Sequence, residues 1–518
     1  MSGKNVLVRD SEMGNELKKD KMTKALAVIL AALIVLTFFR FFYKLGDEVV
    51  QHTDEGWHGV NVYEMYESGN WIVPTQYHEV DYASKPPLNF WADLILFKLI
   101  GPSELALRLP SAISGFATYL ILIVCLWKQR GLTAAVIFSA VFPALRECFR
   151  FHMFRTGDMD AMFGLFFVLT MIALHRIAEG DGKMLIWAAL SASLAFLVKT
   201  SHVAVIILIG LLYLPMIYRE LNVKRVLGAV IAFALPIVTW ILLRYPYDGF
   251  AYFNAIVFGE ASGKTASLFT PLFLTSVIRE KVTWLMIAIL FLRGCGYFLT
   301  RKENKPGRDF LAWCGHNYLT LLVILVPLVF YSVAGAEMAW YIYPSYYGIT
   351  VLISTQASEV MKMIRAVMTG RMSDRIALLV QYIFLAGTIG ICLLYTADQI
   401  QEYRNAGDAG FSLQQLRSDM KECVATHGDK VFGKTAYIAS DRHRNYGDRG
   451  HWEQTFMFYG YTIGGFDCKE GGVEGFLADE DSLLVLDGEL WEEYADVLTG
   501  YVFLEQNTYY ILNHDRYY

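Results

Sequence analysis

Charge is what this sequence has little of. Only 18% of its 518 residues are Asp, Glu, Lys or Arg, against 55% hydrophobic ones, where a soluble globular chain carries about 25% charged residues. That deficit argues against an ordinary water-soluble protein. The seven cysteines form no metal pattern, since no spacing resembles a structural zinc site. Cys125, Cys148, Cys295, Cys314 and Cys392 lie in or beside apolar segments, where cysteine behaves as a small hydrophobe. Internal repeats and low-complexity runs are missing too, which weighs against the inverted-repeat plan of many secondary transporters.

What is there instead is long apolar runs. Stretches such as "KALAVILAALIVLTFFRFFY" and "LTLLVILVPLVFYSVAG" approach the roughly 20 apolar residues that cross about 30 Å of hydrocarbon. The first, from about Leu26 to Tyr43, is long for a signal peptide, ends in aromatics and lacks a small-residue cleavage site, so it is expected to be a retained span. Eleven spans are expected, near 24–43, 106–127, 131–148, 158–177, 184–199, 201–218, 224–243, 280–298, 312–334, 339–358 and 376–397, with 88–100 as a further amphipathic or half-inserted helix. Lys and Arg concentrate in the amino terminus (Lys4, Arg9, Lys18, Lys19, Lys21, Lys24) and in every second connection, as at Lys128 and Arg130, at Arg219, Lys224 and Arg225, and at Lys362, Arg365, Arg371 and Arg375. By the bias of basic residues towards cytoplasmic loops, residues 1–23 form a cytoplasmic tail, and the loop 44–105 and the tail after 398 lie outside. "RECFRFHMFRTGD" is basic yet falls on the outer side, which points to an anionic partner there or to one miscounted span.

The tail 398–518 differs in composition. It holds 22 acidic and 10 basic side chains and so nets −12, which leaves +7 on the rest of a chain whose total is −5. "KTAYIAS" and "DSLLVLDG" read as strands, "ELWEEYADVL" as a helix, and "YVFLEQNTYYILN" alternates as strands do. About 120 residues suffice for a small core, so a soluble α/β domain is expected, with Cys423 and Cys468 open to disulfide pairing if it is exported.

The first outer loop opens on "HTDEGWH", an acidic pair where the chain has just left hydrocarbon. "EGWHGVNVYEMYESG" reads as a helix with Gly69 as its stop. Trp57, Trp71, Tyr77, Tyr82 and Trp91 suit a membrane interface. Lys85 precedes two prolines that stiffen the backbone, a good place to grip a lipid phosphate. The bland alternatives are that Asp54 and Glu55 cap the helix, that Lys85 and Lys199 snorkel to headgroups, that Asp160 is a polar helix start, and that Tyr341 is one interfacial aromatic among 31 tyrosines. His58 and His78 could bind a metal with the carboxylates, but lone histidines in a wet loop usually do nothing special.

Taken in order, "TDEGWHGVNVYEMYESGNWIVP", "SKPPLNFW" and "GPSELALRLPSAI" resemble the first outer loop of the polyprenyl-phosphate-sugar glycosyltransferases of the GT-C fold, which include aminoarabinose transferases of lipid A and protein O-mannosyltransferases. "FRTGDMDAMFGLFFVL" resembles the family's Arg-x-x-x-x-Asp element and brings in Arg155 and Asp160, with Asp158 as near competitor. "LAFLVKTSH" brings in Lys199 and "AWYIYPSYYG" Tyr341 and Pro344. The likeness covers roughly 24–360 and is most specific in 53–112. Departures accompany it: Ser84 stands where aminoarabinose transferases have an acidic residue, Glu260 lacks the histidine those enzymes place after it, Thr200 replaces a glycine, and Glu337 and Met338 occupy the place of a late lysine.

The resemblance implies a polytopic α-helical membrane protein with a glycosyltransferase domain over 24–397 and an extracytoplasmic α/β domain over 398–518, in the bacterial cytoplasmic membrane. It implies an inverting transfer of a sugar from a polyprenyl phosphate to a glycan, lipid or protein acceptor, among membrane lipids and with no nucleic acid. Asp54, Glu55 and Asp160 would be catalytic, with Asp54 as base or orienting group for the acceptor. Lys85, Arg155, Lys199 and Tyr341 would hold the donor phosphate or its lipid, since fixed cations stabilise the charge growing on a phosphate leaving group. No cofactor is assigned; a divalent metal stays open, with Asp54, Asp158, Asp160 and Glu260 as its candidate ligands. The alternative is a transporter or flippase of an anionic lipid or solute, which would need a second, inner cluster of equal polarity that the sequence does not display.

Overall fold

The computed structural model describes residues 3–50, 53–82, 85–256, 272–300, 306–334, 338–368, 372–405, 411–440, 453–506 and 509–516. Helix α1 (Gly3–Phe42) leads into the outer loop, where α2 (Thr53–Ser68) and α3 (Pro87–Ile100) flank a small hairpin. The bundle follows as α4 (Glu104–Arg130), α5 (Leu132–Val141), α6 (Asp160–Ala178), α7 (Met184–Phe196), α8 (Val203–Ile217), α9 (Val223–Asp248), α10 (Lys281–Thr300), α11 (Pro306–His316), α12 (Tyr318–Val333), α13 (Tyr343–Met368) and α14 (Asp374–Asn405).

Among the described residues, seven helical segments are long and apolar enough to cross a membrane, in α1, α4, α6, α8, α9, α10 and α14, and the pair α11–α12, bent by 78°, makes an eighth if counted as one span. Eleven were expected. Each expected segment is helical, but three do not qualify as independent spans. The 10-residue α5 and 13-residue α7 rise only about 15 and 20 Å, short of about 30 Å of hydrocarbon. The third, α13, is long but buries Ser345, Thr350, Ser354, Thr355, Gln356 and Ser358. It is held inside protein, where Thr350 Oγ1 donates to Tyr347 O at 2.9 Å and Ser354 Oγ to Thr350 O at 2.6 Å, as hydroxyls away from water must.

The outer loop is as read at its start. The helix over Thr53–Ser68 ends before Gly69, which takes φ 68°. Tyr77 and His78, with φ 54° and 63°, then form the tip of a two-residue hairpin pairing Thr75–Gln76 with Glu79–Val80. Positive φ at both tip positions suits the twist of a tight hairpin but disfavours bulky residues, so this tip needs outside support.

That support comes from the carboxy-terminal unit: α15 (Phe411–His427), β1 (Thr435–Ala439), α16 (Glu453–Tyr459), β2 (Asp467–Lys469), β3 (Ser482–Asp487), α17 (Trp491–Leu498), β4 (Tyr501–Gln506) and β5 (Tyr509–Arg516). The strands form one mixed sheet in the order β2-β1-β3-β5-β4, parallel across β2-β1-β3 and antiparallel across β3-β5-β4. The expected strands and helix all appear. Tyr77 donates to Glu453, and His78 Nε2 lies 2.8 Å from Asp467. The Tyr63 and Tyr461 rings stack at 4.5 Å, and Tyr461 donates to Glu64 at 2.8 Å. Close approach of α2 to α16 needs glycine: a Cβ on Gly59 would lie 2.6 Å from the Phe458 ring. Cys423 and Cys468 are both buried and neither is in a disulfide, so the pairing left open by the sequence is not formed.

Candidate active site

Successive helical residues point about 100° apart, and this splits the acidic pair at the start of α2. Glu55 turns inward. Its carboxylate receives Arg108 Nε at 2.6 Å and Nη2 at 3.0 Å, and the Gly157 amide at 2.9 Å. Arg108 also donates to the carbonyls of Leu45, Glu48 and Val49 at 3.1, 2.8 and 2.9 Å. Gly157 is required here, because a Cβ would sit 2.5 Å from Leu107 Cγ. One buried ion pair therefore fastens the chain after α1, the start of α2, the start of α4 and the turn before α6.

Asp54 turns outward, its side chain 41% exposed. Facing it is His152, in a left-handed conformation at φ 53°. A non-glycine residue held there stores strain that clusters at functional sites. Its Nδ1 is 3.1 Å from Asp158 Oδ1 and 3.9 Å from Asp54 Oδ2, and its ring stacks on Trp340 at 3.9 Å and 11°. One ligand atom from each of Asp54, His152 and Asp158 lies within 4.8 Å of the other two. One imidazole nitrogen with two carboxylates is a donor set that suits a small divalent cation, so the residues present fit a metal.

Beside this triad, Lys199 Nζ donates to both oxygens of Asp160 at 2.9 and 2.8 Å and lies 5.5 Å from the Tyr341 ring centre. Burial alone would pull the lysine pKa down, but Asp160, with Tyr341 and Asp158, more than offsets it and raises it, so Lys199 stays charged. Two of its three donors are taken by Asp160. His58 lies behind Asp54, with Nδ1 donating to Gly157 O at 3.1 Å. Burial pushes its pKa down; the charges of Asp158 and Asp54 oppose that, and Lys85 adds to it. The charge of Lys85 is thus felt at the imidazole together with those of both carboxylates.

The structure thus brings together Asp54, Asp158, Asp160, Lys199 and Tyr341, with Lys85 in electrostatic reach of His58. Glu55 stands next to them as a buried fastener. Arg155 is different: it donates to the carbonyls of Arg40, Phe41, Tyr43 and Lys44 and lies 3.4 Å from Glu48. Its fork closes the end of α1, so the donor-phosphate role expected for it is withdrawn, and so is the anionic partner as an explanation of its charge. Asp160 leaves the metal candidates because its oxygens are committed to Lys199, and His78 because it reaches the carboxy-terminal unit. Glu260 and Glu337 lie outside the described residues. Sequence reasoning missed His152, Arg108 and Trp340. The one available signal for His152 was its place six residues before Asp158 in a segment read only for its positive charge.

Comparison with known proteins follows this geometry. Residues 84–242 match the family described as dolichyl-phosphate-mannose-protein mannosyltransferase. The undecaprenyl phosphate-α-4-amino-4-deoxy-L-arabinose arabinosyl transferase 2 of Proteus mirabilis is 23% identical over 63% of this chain and 58% of its own length. An uncharacterized protein of Aquifex aeolicus is 22% identical over 60% of this chain and 61% of its own. The chain thus spans less than two thirds of these curated relatives. The crystal structure of ArnT from Cupriavidus metallidurans bound to undecaprenyl phosphate superposes with a TM-score of 0.67 at 14% identity, over 94% of this chain and 97% of that one.

Proposed function

We propose that the chain is a membrane glycosyltransferase of the GT-C fold and that it moves a sugar from a polyprenyl-phosphate donor to an acceptor at the outer membrane–water interface, with inversion at the anomeric carbon. The observation that carries this reading is the meeting of a half-exposed carboxylate, Asp54, with His152 and Asp158 beside the buried cation Lys199, with the charge of Lys85 felt at His58, at the end of a helical bundle.

The reaction is a single displacement. The acceptor oxygen bonds to the anomeric carbon as the bond from that carbon to the phosphate oxygen breaks. Polyprenyl phosphate departs with one more negative charge, and the acceptor proton passes to Asp54 or, for an already ionised acceptor, is not involved. Lys85 and the remaining donor of Lys199 stabilise the departing charge in a site with little water to reorganise. Asp160 and Tyr341 fix where that lysine points. The buried Glu55–Arg108 pair is a positioning element that aims Asp54. Asp54, His152 and Asp158 would hold a divalent cation, which when bound lowers the charge the acceptor oxygen must carry.

The test is release of polyprenyl phosphate from a panel of polyprenyl-phosphate sugars by the full chain in nanodiscs, with cell-envelope acceptors added. Turnover of one donor, lost in Asp54→Asn and Lys85→Ala with folding intact, supports the reading. No turnover of any donor by folded protein sinks it and turns attention to a liposome flux assay.

A further inference from the structure

The sequence displayed no polar cluster at the inner end of the bundle, because its members are scattered from Arg130 to Glu359. The fold assembles one. Helices α11 and α12 meet at a 78° break against α4, α10 and α13, leaving a cavity of about 150 Å³ lined by Arg130, Arg293, Trp313, His316, Gln356 and Glu359 among others. It is remote from the site above. Arg108 and Arg130 belong to opposite ends of α4, and the 22 residues between them rise about 33 Å, the thickness of a bilayer core. Between the two sites α13 buries Tyr347, Ile349, Leu352 and Ile353. Arg293 is seven residues inside the end of α10, about 10 Å. Ionisable side chains and broken helices at such depth persist where they line a cavity, and they mark functional sites.

The polar inventory favours an anion. Arg130 Nη1 donates to His316 Nε2 at 2.5 Å, so that imidazole accepts there and is neutral. Glu359 has Lys362 at 2.8 Å and Arg293 only at 3.8 Å, so the carboxylate is balanced by the lysine and the guanidinium is loosely held. Two guanidiniums and Lys362 thus face one carboxylate. Trp313 Nε1 donates to Gln356 Oε1 at 3.0 Å, and Asn317 Nδ2 turns back to Trp313 O at 2.8 Å. The Asn317 side chain therefore does not cap α12; the positive first turn of that helix and the negative carbonyl end of α11, which stops at His316, offset one another, so the two guanidiniums set the sign. The volume equals that of about five waters, enough for one phosphate group.

We propose that this cavity binds a phosphate-type anion, gripped by Arg130 and Arg293 in the forked manner guanidiniums use for phosphates, on the membrane face that carries the basic connections. The source is the headgroup of an anionic lipid or the phosphoryl group of a soluble molecule. Bound there, the anion ties the α11–α12 break to α4 and α10.

The experiment uses the full chain in phosphate-free maltoside micelles and reads its unfolding midpoint. Phosphatidylglycerol, phosphatidylcholine or millimolar inorganic phosphate is added separately, each against chloride at equal ionic strength. The parent midpoint rises by several degrees with at least one phosphate source, and the rise disappears in Arg130→Gln/Arg293→Gln. Ser358→Asp, which adds one negative charge to the cavity while keeping both arginines, loses it as well and decides the matter if the double variant does not fold. A rise with phosphatidylglycerol alone identifies the lipid source, and one with inorganic phosphate identifies a soluble one. No rise in folded parent, or equal rises in parent and variants, overturns the proposal.

Discussion

Glu55→Gln is the sharpest test of how the acidic pair is divided. The substitution keeps the shape of the side chain but removes its charge and turns an amide towards Arg108. That guanidinium is 2% exposed and retains the carbonyls of Leu45, Glu48 and Val49 with one neutral bond to the glutamine oxygen. Breaking a buried ion pair by removing one partner costs about 3–5 kcal/mol. The three carbonyl dipoles argue for the lower end, about 3 kcal/mol, which multiplies the unfolding equilibrium by roughly 150. Arg108→Met should cost more, about 4–5 kcal/mol, since it orphans three carbonyls and leaves Glu55 with one amide. Replacing both residues by Leu and Met should recover part of the loss but not all of it, because the carbonyls stay unsatisfied. Large membrane proteins unfold irreversibly, so the assay is the rate of fluorescence loss at one fixed temperature in nanodiscs. Glu55→Gln should unfold ten- to a hundredfold faster than the parent, the exact factor depending on how much of the pair survives in the transition state. Asp54→Asn should unfold at close to the parental rate. If Glu55→Gln unfolds like the parent yet abolishes turnover, Glu55 is a reacting group and the fastening role is wrong.

Other outcomes follow from the same reasoning. Asp160→Asn or Lys199→Met alone should cost about 3 kcal/mol by orphaning a buried partner; the double variant should regain most of that in the same unfolding assay while staying impaired in turnover. Gly59→Val should force Phe458 away and cost about 2 kcal/mol, read as faster unfolding in the same assay. Glu280, outside the spans, has its pKa raised to about 7 by burial. A raised carboxyl stabilises the fold below its unfolded value near 4.5 and loses that stabilisation as pH rises through about 7. Unfolding should therefore quicken over that window, and Glu280→Gln should flatten the profile. Manganese bound at Asp54, His152 and Asp158 should give an electron paramagnetic resonance signal that Asp158→Asn weakens at least tenfold; equal signals would remove those residues from any metal site.

What the residues disclosed depended on whether one segment carried the signal. The apolar runs, the helix over Thr53–Ser68, the strands at Thr435–Ala439 and Ser482–Asp487, and the candidacy of Asp54, Asp160 and Lys199, were legible, because each rests on local periodicity or on ordered motifs of one family. The partners of these residues were not. Arg108 sits in the quoted "RLPSAI", yet nothing local says that its guanidinium reaches 53 residues back to Glu55. Arg155 matched a motif, and the contacts that give it away belong to the end of α1, more than 110 residues earlier. The tail looked like an independent domain by its charge and its strands, but Tyr461, Glu453 and Asp467 hold the first outer loop by side chains whose counterparts are nearly 400 residues away. That contact has a mechanical consequence. The hairpin tip at Tyr77–His78 is held in a disfavoured backbone by those same side chains, and Lys85 follows it by seven residues. A displaced carboxy-terminal unit would therefore release the tip first, and with it the start of the segment that leads to the lysine proposed to hold the donor phosphate.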